Sequence, residues 1–235
     1  MKNSAIREPS LEDKLKVLFS AHEHSDTWVI AMDEVGRGPL FGPVTVGGIL
    51  FKAMDLFSGD LPKWCSQVND SKKIKAPLRK ELSELIKNQY IHHTSHVSVK
   101  FIDKYNINKA IQYGVYRTAR ALLKKAMAIN KKLSVAYILL DGNYKFQFPQ
   151  LRMIHPIPQI HSIIRGDEHL FHISCASILA KEERDRLIIQ SAKRFSDYGL
   201  ESNAGYGTLY HRNALLKHGV TPFHRKLFVK KILNV

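Results

Sequence analysis

The chain has 235 residues, 44% hydrophobic and 24% charged, the composition of a globular protein with a substantial core. Its 36 Lys+Arg against 21 Asp+Glu leave +15, an excess that attracts polyanions, nucleic acid first and an anionic membrane surface second. No apolar stretch approaches the roughly 20 residues of a bilayer span. The N-terminus lacks the apolar core of a signal peptide. Two cysteines, Cys65 and Cys175, exclude a disulfide framework and a cysteine-based zinc site, so reduced thiols in a cytoplasm are expected.

Residues 1–25 are polar, with Leu11, Leu15 and Leu18 at helical spacing, which predicts a short helix after Ser10. Thr27–Met32 and Val44–Phe51 read as buried strands, the second rich in β-branched residues. Residues 52–76 read mostly as loop. A helix is expected from Pro77 to Gln89, then a strand near His96–Ile102. Ile107 to Ile129 reads as a long helix with Ile111, Val115, Ala119, Leu122 and Ala126 on one face. Val135–Leu140 is another apolar strand. The proline-bearing loop 147–158 follows, and then a short strand at Ile160–Ile164. Asp167 is placed to cap a helix running to Phe195, with Glu168 in its first turn. Helices near Leu209–Lys217 and Pro222–Leu233 finish the chain. The order of elements predicts a mixed α/β sheet with helices on its faces.

Three of these apolar runs lead into carboxylates. The first ends in Asp33-Glu34, the strand Val135–Leu140 in Asp141, and Ile160–Ile164 is followed by Asp167. Parallel neighbours would bring these ends to one sheet edge, where open α/β sheets place their sites. Carboxylates crowded there would repel and raise each other's pKa. Mg²⁺ and Mn²⁺ prefer such hard oxygen ligands, and two ions about 4 Å apart suit in-line displacement at phosphorus. After Asp33-Glu34 comes Val35-Gly36-Arg37-Gly38-Pro39, where glycines let backbone approach a ligand and arginine matches phosphate. Asp185 lies 18 positions beyond Asp167, about 27 Å along a straight helix at roughly 1.5 Å per residue. Asp185, Glu182 and Glu183 are therefore expected to be solvated. His92, His93 and His96 lack companion ligands and read as solvated or phosphate-facing. Lys124-Lys125 and Lys131-Lys132 read as a solvated helix face.

The blocks Asp33-Glu34-Val35-Gly36-Arg37-Gly38-Pro39, Asn69-Asp70-Ser71-Lys72-Lys73, Asp141-Gly142-Asn143 and Arg165-Gly166-Asp167 occur in one order. They continue through Ala176-Ser177-Ile178-Leu179-Ala180-Lys181, Arg184-Asp185-Arg186, Gly205-Tyr206-Gly207-Thr208 and His218-Gly219-Val220-Thr221-Pro222-Phe223-His224-Arg225. Together they resemble ribonuclease HII across residues 27–228. The resemblance implies an RNase H-like fold, a mixed five-stranded sheet flanked by helices with a small C-terminal helical extension. It divides the chain into an N-terminal extension (1–25), a catalytic domain (26–208) and a C-terminal helical segment (209–235). It implies a monomeric two-metal endonuclease that cuts the RNA strand of RNA–DNA hybrids and DNA duplexes with an embedded ribonucleotide. Asp33, Glu34, Asp141 and Asp167 would hold two Mg²⁺ or Mn²⁺ ions. Gly36, Arg37 and Gly38 would sense the ribose, with Tyr206 their partner at the RNA–DNA junction, and Lys72 and Lys73 would contact backbone phosphate.

The physical reading agrees. A 2′-OH both donates and accepts, and distinguishes ribose from deoxyribose. A glycine-flanked loop can present backbone groups to it, and a tyrosine between glycines can lay its ring on the next sugar. Ala204 stands where the family often has lysine, which removes one phosphate contact, and Arg165 keeps the charge of a common lysine. The nearest alternative is ribonuclease HIII, against which Gly36-Arg37-Gly38 argues. A non-catalytic hybrid-binding protein is the alternative from another class, and the presence of all four acids argues against it.

Overall fold

The computed structural model describes residues 27–56, 62–68, 71, 74–130, 133, 135–148 and 158–233. The expected helix after Ser10, the pairs Lys72-Lys73 and Lys131-Lys132, and most of the 147–158 loop lie outside the described residues. Five strands, β1 (Trp28–Val35), β2 (Val44–Lys52), β3 (Ile91–Val97), β4 (Val135–Asp141) and β5 (Gln159–Ile163), form one sheet in the order β3-β2-β1-β4-β5. β1 runs antiparallel to β2 and parallel to β4, and β4 runs parallel to β5. The mixed five-stranded sheet and the parallel strand ends expected from the sequence are both present.

β1 lies at the centre, so Val29, Ile30, Ala31 and Met32 are all fully buried, alternating between two cores. On one face, Ile30, Met32, Val46 and Leu50 pack on the long helix Ile107–Ile129. Its contact stripe is the expected one: Ile111, Val115, Ala119, Leu122 and Ala126. The other face, Val29, Ala31, Ile49 and Phe51, meets the helices Ala76–Gln89 and Phe171–Ala192. In chain order the helices are α1 (Ala76–Gln89), α2 (Val99–Tyr105), α3 (Ile107–Ile129), α4 (Gly166–His169), α5 (Phe171–Ala192), α6 (Leu200–Asn203), α7 (Leu209–His218) and α8 (Lys226–Leu233). α5 lies so close to β2 that a Cβ on Gly47 would fall 2.3 Å from the Ala176 carbonyl oxygen. That approach sets α5 against the acid-bearing end of β1.

Four expectations are corrected. The strand placed near His96–Ile102 is two elements: β3 ends at Val97, and α2 begins behind Ser98, whose hydroxyl accepts from the Phe101 N–H at 3.3 Å. Val99 and Ile102, three apart, are the buried pair of a helical turn. Asp167 does not cap a long helix. Arg165 takes a left-handed φ of 57°, Asp167 sits inside the one-turn α4, and α5 starts afresh after an extended Leu170. The last helix begins at Lys226, after a turn over 221–224.

The fourth correction concerns the acids of α5. Asp185 and Glu182 face the buried Arg79 of α1, with Nη2 to Asp185 at 3.0 Å and Nε to Glu182 at 3.4 Å. Lys181 holds the other Asp185 oxygen at 2.7 Å. Glu183 pairs with Arg186 at 2.8 Å and Lys87 at 3.7 Å. These charges clamp α1 to α5 and are not solvated. A third core joins Leu40 and Phe41 to Ile188, Tyr198, Leu200, Leu215 and Val229, packing the C-terminal helices on the loop that follows β1. No helix among the described residues is long and apolar enough to cross a membrane.

Candidate active site

Register explains why the acids meet. Met32 pairs with Leu140 across β1 and β4, so the next residues, Asp33 and Asp141, lie side by side at the strand ends. Asp141 in turn pairs with Ile163 of β5, and α4 follows two residues later with Asp167. Carboxylate oxygens of Asp33, Asp141 and Asp167 lie within 4.8 Å of one another. The Asp167 N–H donates to Asp141 Oδ1 at 3.3 Å, tying the loop after β5 to the end of β4.

Glu34 is not part of this trio, because successive strand side chains point to opposite faces. Asp33 shares the α5 face with Ala31. Glu34 points toward the α3 face, where its Oε1 accepts from the Tyr144 hydroxyl at 2.6 Å. Its other oxygen, Oε2, is buried with no hydrogen-bond partner. That hydroxyl also accepts from Arg37 Nη1 at 2.9 Å, and Arg37 Nη2 donates to Asn108 at 3.0 Å. Arg37 and Glu34 are thus joined through one phenol. Tyr144 carries no signal in the sequence that marks it for this position.

The acids carry the electrostatic cost of being together. Burial, and then the charges of Glu34 and Asp141, push the Asp33 carboxyl well above its usual pKa, against a lowering hydrogen bond from Ser177. Burial raises Glu34 to about 7, with Asp141 adding to it and the Tyr144 hydrogen bond opposing it. Neighbouring carboxylates that raise Asp33 and Glu34 make this a donor set suited to a cation. Hard divalent ions fit it.

A cleft of about 630 Å³ gathers Asp33, Glu34, Gly36, Arg37, Gly38, Asp141, Asp167 and Tyr206, together with Ser177 and Lys181. Every expected site residue among those described is there. Arg37 and Gly38 are exposed, and the Tyr206 ring is 41% exposed. Gly36 has φ 94°, and a Cβ there would fall 2.3 Å from Arg184 Nε, so a side chain is excluded on both counts. The three β3 histidines lie away from the acids: His96 Nδ1 is 3.0 Å from the Thr45 hydroxyl, and no histidine joins the acidic group among the described residues.

Sequence reasoning missed the residues behind this surface. Arg184 and Arg225 are fully buried, and no carboxylate among the described residues forms an ion pair with either. Arg184 donates to the carbonyls of Phe41, Pro43 and Ala204, and Arg225 to those of Gly36, Arg37 and Gly42. His211 and His224 are also buried and face each other at 3.0 Å. Arg184, His224 and Arg225 stand inside the quoted motifs, but an arginine in a +15 chain reads as surface charge.

The sequence matches the family model for Ribonuclease HII over residues 30–231. The chain belongs to the ribonuclease HII family. The Ribonuclease HII of Ruegeria sp. strain TM1040 is 39% identical over 216 residues, covering 91% of this chain and 84% of that protein. The ribonuclease H2 of Pyrococcus horikoshii OT3 has the same fold, with a TM-score of 0.63 at 20% identity, over 88% of this chain and 98% of that one. Bst-RNase HIII, solved in complex with Mn²⁺, superposes with a TM-score of 0.66 at 17% identity over 92% of this chain and 72% of its own. Family membership is shown by the sequence, and the solved structures share its fold. An RNase H endonuclease is the activity that belongs to it, and the acidic cleft is where a divalent metal ion fits.

Proposed function

We propose that the chain hydrolyses the RNA strand of RNA–DNA hybrids and nicks duplex DNA on the 5′ side of an embedded ribonucleotide. The products are a 3′-hydroxyl and a 5′-phosphate, formed without a covalent enzyme intermediate. The observation that carries this reading is the single cleft in which Asp33, Asp141 and Asp167 stand beside the Gly36–Gly38 loop and Tyr206. Reaction and recognition surfaces are contiguous, as a cut beside one sugar requires.

Asp33, Asp141 and Asp167 are the ligand set for the metal, with Glu34 contributing from the neighbouring face. Two Mg²⁺ or Mn²⁺ ions bound there supply a nucleophilic water and neutralise charge on the leaving 3′ oxygen. The remaining roles fall to the chain itself. Arg37 presents an exposed guanidinium to the phosphate backbone, and the Gly36–Gly38 backbone lies open to the ribose 2′-OH. The Tyr206 ring stacks on the following sugar, where a second 2′-OH would clash. Lys72 and Lys73 are proposed phosphate contacts.

The test is a gel assay in Mg²⁺ or Mn²⁺ with three end-labelled duplexes: all DNA, one embedded ribonucleotide, and a continuous hybrid. The last two are cut and the first is left intact. Sites built to hydrogen-bond a hydroxyl reject the analogue lacking it by roughly 10⁴-fold. Cleavage of the continuous hybrid alone would leave a generic hybrid nuclease and remove the junction-reading role.

A further inference from the structure

His224 and Arg225 are consecutive, and both are buried, at 1% and 0% exposure. They reach the two halves of the ribose-reading surface. Arg225 takes the first half. Its Nη2 donates to the Gly36 carbonyl at 2.7 Å, its Nη1 to Arg37 at 3.0 Å, and its Nε to Gly42 at 2.9 Å. In a trans peptide the C=O and the following N–H point in opposite directions. Holding the Gly36 and Arg37 oxygens from the interior therefore turns the Arg37 and Gly38 N–H groups away from it, as a pair of fixed donors. A lysine could supply the charge, but its three donors share one rotatable nitrogen and lack the rigid planar fork that reaches three separate carbonyls.

His224 takes the other half through His211. The Thr221 N–H, which can only donate, lies 3.0 Å from His224 Nδ1. That nitrogen is therefore bare, and the ring proton sits on Nε2. His224 Nε2 is 3.0 Å from His211 Nε2, which must accept. The His211 proton is then on Nδ1, 2.9 Å from the Tyr206 carbonyl oxygen, which can only accept. The chain of donors is determined from both ends. A second proton on either ring would set N–H against N–H. Burial holds His224 neutral in agreement, lowering it to about 4, with His211 adding to the effect.

We propose that His224 and Arg225 are positioning residues that set the gap between the Gly36–Gly38 donors and Tyr206, and with it the preference for one ribose followed by one deoxyribose. The proposal rests on the reading above that these two elements face the junction. Their shared backbone connection is short: Leu40 and Phe41 N–H both donate to Gly205 O, and Arg225 N–H donates to Leu40 O. Movement of the dipeptide is therefore carried to both halves at once.

The test uses the full chain and compares kcat/KM on the single-ribonucleotide duplex with that on the continuous hybrid. His211→Asn keeps an amide N–H near the Nδ1 position and so keeps Tyr206. His211→Gln places its amide toward His224 and loses Tyr206. A displacement of about 1 Å in a positioned group costs up to roughly 10²-fold. We expect H211Q, which breaks the link to Tyr206, and H211N, which breaks the link to His224, each to lower the single-ribonucleotide to hybrid ratio by about 10- to 100-fold. His224→Asn, which keeps the acceptor for Thr221 but not the link to His211, should show the same loss and serves if the His211 variants do not fold. Tyr206→Ala separates the two ideas. If Y206A lowers both substrates equally, the junction reading fails and the proposal with it. If Y206A is selective while H211Q, H211N and H224N keep the parental ratio, the brace is overturned and the junction reading stands.

Discussion

The two sides of the cleft are built on opposite principles. On the acid side, Asp33, Asp141 and Asp167 crowd within 4.8 Å, and Glu34 Oε2 is buried without a partner. On the reader side, Arg184, Arg225 and His211 donate to seven backbone carbonyls from behind, and His224 backs His211. The first is strained until a cation arrives, and the second is finished before any ligand does. A metal site gains by holding repulsion that binding relieves, because the relieved energy adds to affinity. A discriminating site gains by being stiff, because a loose donor accepts the wrong sugar.

The largest effects are expected on the acid side. Asp33→Asn or Asp141→Asn should lower cleavage by on the order of 10³-fold or more, since each keeps the shape and removes a ligand charge. The same D33N change should raise the melting temperature in chelator, because it removes a buried like charge. Its stabilisation by added Mg²⁺ or Mn²⁺ should shrink. Calorimetry with and without the ion reads both. A D33N variant that melts lower than the parent in chelator would show that the acid cluster is not strained.

A third region sets the scale for ordinary buried charge. Arg79 is paired with Asp185 and Glu182 and also donates to the Ile74 carbonyl at 3.1 Å. Removing Arg79 leaves Glu182 and Asp185 part-buried with Lys181 as the cation beside Asp185. Arg79→Ala should therefore destabilise by about 2–4 kcal/mol in urea unfolding, with the D33N sign reversed. A change below about 0.5 kcal/mol would mean that the clamp is solvent-screened after all.

Acid separates the two sides by sign. The folded pKa values of His224 and of His172, which lies outside the cleft and stacks on Phe51 in the sheet core, are lowered to about 4 and about 3, both by burial first, so the unfolded chain binds more protons below about pH 6.5. Their contribution is present above that pH and is lost as pH falls through the folded values. Glu34 is the reverse. Raised to about 7, it binds a proton in the folded state that the unfolded chain has released above about pH 4.5. It lowers stability as pH rises through that window. With divalent ion bound, the carboxylates stay ionised and only the histidine slope remains. Stability should then rise from pH 4 to 6.5 by up to about 1.4 kcal/mol per pH unit per histidine. In chelator the curve should be flatter. Equal slopes with and without ion would remove the contrast.

The sequence disclosed these two sides unequally, and for a physical reason. Asp33, Asp141 and Asp167 were legible because a carboxylate after a buried apolar strand has few other uses, and the strand order brought the ends together. The separation of Glu34 from that trio was also available from the two-residue period of β1, and adjacency in the chain hid it. The break at Leu170 could not be seen, because it depends on a left-handed Arg165 that no residue type announces. α2 was hidden by a valine and isoleucine run that suits a strand equally well, although Ser98 was a visible cap. The buried arginines were the least legible. Arg79, Arg184 and Arg225 contribute to the +15 as any surface charge does, and only packing reveals that their partners lie inside.

The smallest expected effect falls on Tyr144, which touches both sides. Its hydroxyl donates to Glu34 at 2.6 Å and accepts from Arg37 at 2.9 Å. Tyr144→Phe keeps the ring and its stacking on Phe146 at 4.5 Å, so the core should be unaffected. What is lost is one hydrogen bond to a carboxylate, about 1.5–3 kcal/mol when the group is buried and less where water can enter. Water can enter here, since Glu34 lines the open cleft. The loss should therefore be about 3- to 10-fold in kcat/KM, on single-ribonucleotide and continuous-hybrid substrates alike. The divalent-ion concentration for half-maximal binding, measured by titration calorimetry, should rise as well. Equality across the two substrates is the informative part. In the proposed function Arg37 and Glu34 serve both reactions, and the junction is read at Tyr206. If Y144F instead spared one substrate, the phenol would belong to the stiff reader and not to the strained acids, and the line drawn between the two sides would have to move.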